Sequence, residues 1–238
     1  EFRRVLFRSE MRINMGTKRW NLRKAPSDIL PSNTIMVDLH ISEEQILGSM
    51  KPKTRYNIHL ASRREVRVRE AGLDELPIWY SLYQETAQRN GIVLDSIDYF
   101  KQVLTTTAED TASPADIKLL LAEKKGVPLA GLFWAASGGR ATYLYGASAS
   151  HGRESMPTYA LQWAAIKMAK RNGCKEYDMF GVSRNADPAH PLYGLYRFKT
   201  GFGGRLFHRQ GCWDYPFHEE VYDHFRAKEM VSQGYHRR

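Results

Sequence analysis

The chain has 238 residues, of which 42% are hydrophobic and 26% charged, enough apolar material for one sizeable domain or a domain and a fraction. Its formal net charge of +9 and pI near 9.5 point to anionic partners (nucleic acid, phosphorylated metabolites or an anionic membrane face) without choosing among them. Two cysteines, Cys174 and Cys212, exclude a disulfide framework and suit a reducing cytoplasm. No apolar run approaches the ~20 residues that cross a bilayer.

The scattered histidines form no paired helical motif, so no metal site is expected. Residues Glu1 to Glu10 interleave arginines with apolar residues and lack both an h-region and a small-residue cleavage site. They are read as an appended or sequencing scar and kept out of the fold argument. Thr34-Ile-Met-Val-Asp-Leu39 is short and β-rich, and predicts a strand. Ser42-Glu-Glu-Gln45 fits a capping box, with Ile46, Leu47 and Met50 behind it. Pro52 interrupts, and a second helix is expected from about Thr54 to Arg64.

Val66 and Val68 alternate with arginines as in a half-exposed strand. Leu76, Trp79, Leu82 and Tyr83 recur at helical spacing, and so do Tyr99, Phe100, Val103 and Leu104. The period then changes. Residues 117–122, 128–135 and 140–147 read as three strands, separated by the turn signals Lys125-Gly126 and Gly138-Gly139. A helix over about 156–171 ends at Asn172-Gly173, and Glu176 to Phe180 follows as a strand. Strand 205–209, a turn at Gly211 and a polar helix from about Glu219 close the chain. The order predicts an α/β (α+β) layered domain with a mixed sheet.

Six segments carry chemistry or punctuation in a fixed order. They are residues 34–39, Lys51-Pro-Lys-Thr-Arg-Tyr-Asn-Ile58, Tyr143-Leu-Tyr-Gly-Ala-Ser148, Tyr177-Asp-Met-Phe-Gly181, the run Gly194 to Gly204, and Gly211-Cys-Trp-Asp214. Read from spacing alone, Lys199 is a surface lysine on a short helix and the glycines after it are turn formers. A basic stretch that includes Lys51, Lys53, Arg55, Arg63, Arg64, Arg67 and Arg69 is either a solvated face or a phosphate-binding one. Asp178 and Asp214 fit the role of backbone-amide caps better than that of a general base.

From about Pro31 to Pro216 these segments resemble the FemABX peptidoglycan-bridge aminoacyltransferases, whose fold is GNAT-like: a mixed, mainly antiparallel sheet flanked by helices. The resemblance implies an acyltransferase that moves an amino acid from aminoacyl-tRNA to the stem-peptide amine of a peptidoglycan precursor, UDP-linked or lipid-linked, with no cofactor. It implies a cytoplasmic protein in peripheral contact with the inner membrane face. It makes 31–238 the acyltransferase domain and 1–30 a scar or the remnant of a truncated first GNAT-like domain. Lys199 would stabilise the tetrahedral oxyanion, with Phe198 shaping the pocket wall. Arg153 would hold the precursor's diphosphate, Tyr159 would contact the precursor, Arg55 and Asn57 would join the substrate site, and Gly201 and Gly203 would let backbone approach a ligand. Lys51, Lys53, Arg63 and Arg64 would hold tRNA phosphates.

Two rivals stand beside this reading. The first is an acetyl-CoA-dependent GNAT acetyltransferase, although the connection Ser150 to Pro157 lacks the glycine pair that cradles a pyrophosphate. The second is a non-catalytic half that binds tRNA or precursor without turnover.

Overall fold

The computed structural model describes residues 2–6, 22–25, 31–105, 115–183 and 186–231. Two compact units emerge. The larger holds Ile35–Phe180 and Arg197–Arg205; the smaller holds Glu1–Thr34, Gly181–Tyr196 and Leu206–Arg238.

The smaller unit contains strands β1 (Phe2–Leu6) and β2 (Arg23–Lys24). Both pair with a strand from near the chain's other end, Cys212–Pro216, in the order first, last, second. The pairing is antiparallel and runs from Phe2 opposite Pro216 to Leu6 opposite Cys212. Residues 2–6, set aside in the sequence analysis, thus form a paired strand, while residues 1 and 7–10 lie outside the described residues. The partner strand lies some 200 residues away, so no local pattern marks the first strand as one. A helix over Glu219–Val231 is tied to β2 by Arg23, which pairs with Glu219 and, at 3.2 Å, with Asp223. The Tyr222 hydroxyl donates to buried Asp214 at 3.1 Å.

The larger unit opens at Ile35, within β3 (Asn33–Asp38), and continues with α1 (Glu43–Ser49). The expected capping box is present: Ser42 Oγ accepts from Gln45 N–H at 3.2 Å, and Gln45 Oε1 accepts from Ser42 N–H at 2.9 Å. Helix α2 (Pro52–Arg63) begins two residues earlier than predicted. Pro52 starts this helix rather than interrupting it, because the first turn needs no intrahelical N–H donor. β4 (Val66–Ala71), α3 (Leu76–Asn90) and α4 (Ile97–Thr105) follow.

Next come β5 (Asp116–Lys124), β6 (Val127–Ser137) and β7 (Arg140–Ser148). Their hairpin turns carry positive φ at Lys125 and Gly126 (51° and 76°) and at Gly138 and Gly139 (57° and 76°). Two consecutive left-handed residues match the strands' right-handed twist, which is why these turns read so clearly in sequence. Helix α5 (Pro157–Arg171), β8 (Glu176–Val182), α6 (Tyr193–Lys199), β9 (Arg205–His208), the strand already described (β10) and the final helix (α7) complete the order.

The main sheet runs β4-β5-β6-β7-β8-β3-β9. β4 through β7 are antiparallel neighbours, whereas β7 and β8 pair in parallel. Along β5 the side chains alternate. Leu119 and Leu121 join Trp79, Leu82, Phe100 and Phe133 in one core, and α5 packs against β5 and β6 with Leu161, Ala165 and Ile166 buried. This is the mixed, mainly antiparallel, helix-flanked sheet that the sequence predicted. Tyr177 of β8 donates its buried hydroxyl to Gln162 of α5 at 2.9 Å, and the Arg140–Glu176 pair at 2.7 Å staples β7 to β8.

Candidate functional site

The parallel β7–β8 ladder has three rungs: Arg140 opposite Glu176, Ala141 opposite Tyr177, and Thr142 opposite Asp178. Beyond them each strand changes course. In β7 the register against β6 slips from Trp134 opposite Tyr143 to Leu132 opposite Gly146, which places one extra residue in β7 as a bulge. In β8, Phe180 adopts φ +61°, a left-handed conformation for a bulky residue inside a strand.

Lys199, the last residue of α6, fills the place where the two strands stop pairing. Its Nζ donates to the Phe180 carbonyl at 3.2 Å and lies 5.2 Å from the centre of the Tyr143 ring. The residue is only 4% exposed. Loss of water brings its pKa down to about 7, opposed by the nearby Asp178 charge. Lys199 is therefore not the surface lysine that spacing alone suggests. Asp178 is itself buried, and its Oδ1 accepts from Phe180 N–H at 2.8 Å. Burial pushes the Tyr143 phenol up to about 12, so it faces Lys199 as a neutral hydroxyl-bearing ring.

Beside Lys199 the aromatic wall is built from both predicted partners. The Phe198 ring meets Tyr159 edge-on at 5.1 Å and Phe202 at 5.2 Å, and Tyr159 stacks on Phe202 at 5.9 Å. Phe198, Lys199 and Tyr159 thus come together. Tyr159 sits in the first turn of α5, and Arg153 lies exposed on the 3-10 turn leading into that helix.

Gly201 and Gly203 face the protein's own helices rather than an open approach for a ligand. A side chain at Gly201 would run into Thr54 Oγ1 of α2, and one at Gly203 into Ser49 of α1. The Gly201 carbonyl accepts from Lys51 N–H at 2.9 Å, and Lys51 Nζ donates to Thr200 Oγ1 at 3.3 Å. These contacts seat the Lys199 segment against α1 and α2.

Arg55 turns its guanidinium onto the Gly48 carbonyl at 3.0 Å and onto the Met50 carbonyl, closing the C-terminal end of α1. Asn57 is buried. Lys53 and Arg63 are exposed on α2, with Arg63 over the Tyr56 ring at 5.7 Å, and Arg64 donates to the Glu154 carbonyl at 2.7 Å. Arg69 is committed to Glu75 and Glu123 at 2.6 and 3.1 Å.

Tyr143 and Phe180 were not singled out in the sequence as site residues. Both stand within quoted motifs, but the φ of Phe180 leaves no mark in residue type. Both cysteines are buried, and burial pushes the Cys174 thiol up, away from nucleophilic character. In the connection before α5, the Ser150 amide donates to Glu85 Oε2 at 2.9 Å, and Ser155 and Met156 donate to backbone carbonyls, both at 3.0 Å. Pro157 offers no N–H at all. Much of what a pyrophosphate would need is therefore already taken.

The FemAB family profile matches residues 22–114 and 116–229. Curated relatives include the lipid II:glycine glycyltransferases of Staphylococcus epidermidis, 22% identical over 82% of this chain, and of Staphylococcus saprophyticus, 24% identical over 82%. The chain spans about 60% of the length of these relatives. Among solved structures, FemX superposes with a TM-score of 0.77 at 20% identity, covering 87% of this chain and 67% of that one. The C-terminal domain of a putative lysylphosphatidylglycerol synthetase from Agrobacterium fabrum follows at 0.56 and 13%, covering 88% and 67%. A family match over most of the sequence, together with the shared fold, places this chain in the FemAB family.

Proposed function

We propose that the larger unit carries the transfer centre of an aminoacyltransferase that extends the peptide of a peptidoglycan precursor. The observation that carries this reading is the nearly water-free Lys199 at the end of the β7–β8 ladder, with an aromatic wall beside it. Relatives named lipid II:glycine glycyltransferases support a lipid-linked acceptor, and an acceptor of that kind suits work beside a membrane. An aminoacyl-tRNA is the donor in this reading, with the exposed basic residues Lys53 and Arg63 of α2 available to its phosphates.

In the reaction, the acceptor's free amine attacks the carbonyl carbon of the aminoacyl ester. A C–N bond forms, the carbonyl oxygen takes up negative charge, and the charged form of Lys199 stabilises it in surroundings where little water competes. The ester C–O bond then breaks, and the ribose oxygen leaves with the proton that the amine gives up. Two bound substrates held in register supply much of the rate without a covalent enzyme intermediate. Phe198, Tyr159 and Phe202 shape the wall that excludes water, and Arg153, exposed ahead of α5, would pair with the precursor's diphosphate.

The test is transfer of labelled amino acid from charged tRNA to lipid II or to UDP-linked muropeptide, with Lys199→Met as the variant. A loss of roughly 10²–10³-fold is expected for removing a transition-state donor. Near-normal turnover would sink the assignment. Thermal shifts with acetyl-CoA, muropeptide and charged tRNA separate this reading from an acetyltransferase and from a binding half without turnover.

A further inference from the structure

Among the described residues, four non-glycine residues have positive φ: Glu65, Lys125, Met156 and Phe180. Three of them sit where the chain turns: after α2, in the β5–β6 hairpin, and at the start of α5. Phe180 alone lies inside a strand. A left-handed bulky residue there is strained and persists only when its surroundings over-determine it.

The surroundings that hold it are specific. The Phe180 N–H donates to Asp178 Oδ1 at 2.8 Å, a side-chain-to-backbone turn spanning two residues. The Phe180 carbonyl accepts from Lys199 Nζ at 3.2 Å. In a regular strand this peptide would follow the ladder direction. The Asp178 turn bends β8 directly after its last rung with β7, at Thr142 opposite Asp178. Asp178 therefore touches both halves of the device. It fixes the peptide that receives Lys199, and its charge favours the cationic form of that lysine against desolvation.

We infer that Asp178 is the positioning residue of the transfer centre: its carboxylate clamps Phe180 in the left-handed turn that aims a carbonyl at Lys199 Nζ, and it provides the counter-charge of that lysine. This rests on the reading of Lys199 as the acting cation. Among the described residues, the Tyr143 ring on β7 faces Lys199 and the Asp178 charge on β8 lies within electrostatic reach of it. Tyr159 of α5 packs on the adjacent Phe198, and Lys51 bonds the adjacent Thr200. Of these, Asp178 is the one whose charge opposes the desolvation of Lys199.

The test uses two variants and two readouts. Asp178→Asn keeps an oxygen acceptor for the Phe180 amide and removes the charge; Asp178→Ala removes both. The first readout is the pH at which the unfolding free energy, taken relative to Lys199→Met in the same background, shows its lysine-linked change. The second is the alkaline limb of kcat/KM for transfer. Asp178→Asn is expected to move both to lower pH by roughly one unit, the size of a partly screened charge pair. Asp178→Ala is expected to lose a further tenfold or more in kcat with KM nearly unchanged.

Unmoved midpoints in a folded Asp178→Asn protein overturn the proposal, whatever its activity, since a merely structural aspartate would leave them in place. Should Asp178→Ala fail to fold, Asp178→Asn decides alone. The first readout needs no substrate. A full-rate Lys199→Met enzyme would defeat the role of Lys199 in transfer, whereas a shifted stability midpoint would still uphold Asp178 as its counter-charge.

Discussion

Replacing Lys199 with Met should make this protein more stable at neutral pH, and by an amount that depends on pH in a calculable way. Lys199 is 4% exposed, and its pKa falls from 10.5 to about 7 on folding. Between those values the unfolded chain holds a proton that the folded chain releases, so stability rises with pH. The lysine's destabilising cost is absent above the unfolded value, grows as pH falls from 10.5 to about 7, and levels off below that. At 1.36 kcal/mol per pH unit, the lysine costs roughly 4 kcal/mol at pH 7 against an uncharged side chain of equal length, and roughly 2 kcal/mol at pH 9. Losing the hydrogen bond to the Phe180 carbonyl returns about 1–2 kcal/mol of that.

The net expectation for Lys199→Met is a gain of about 2–3 kcal/mol at pH 7, or roughly 5–10 °C in Tm for a chain of this size. The gain shrinks by about 2 kcal/mol at pH 9. Urea unfolding of both proteins at the two pH values measures it. A difference that stays constant with pH, or a variant that is less stable at pH 7, would show that Lys199 is not held in a desolvated site. The same variant is the one expected to lose transfer, so a gain in stability with a loss of activity would mark the lysine as functional rather than structural.

Gly201→Ala should cost about 1–3 kcal/mol, since its methyl group meets Thr54 Oγ1. Adding Thr54→Ala should recover part of that loss, and additivity in the double-mutant cycle would refute the contact. Tyr177→Phe leaves buried Gln162 without its donor and should cost about 1–2 kcal/mol by denaturant titration, with the alkaline limb of transfer unmoved. An unchanged midpoint of unfolding would mean that this bond adds nothing to the α5–β8 packing.

Much of the larger unit was legible before any coordinates. The Ser42 box, the Lys125-Gly126 and Gly138-Gly139 turns, and the helical stripe through Trp79 and Leu82 are patterns of neighbours within a few residues, and local backbone physics reads them directly. The order of those elements was enough for the layered, mainly antiparallel sheet, and the six motifs in series were enough for the family.

What the sequence could not reach was decided by contacts between distant segments. Phe2–Leu6 is a strand because Cys212–Pro216 pairs with it. A side chain at Gly201 or Gly203 would meet Thr54 or Ser49, neighbours that lie about 150 residues earlier in the chain. Arg55, in a motif quoted for the family, closes the end of α1, a contact that residue type does not announce. Lys199 could be recognised from its motif, but its chemistry could not. A lysine on a short helix is ordinarily solvated, and this one is drawn out of water only because β7 and β8 stop pairing and a left-handed Phe180, held by Asp178, turns a carbonyl to meet it. Residue type alone determined that a positive charge was available. Burial, which depends on the whole sheet, determined how readily that charge is given up.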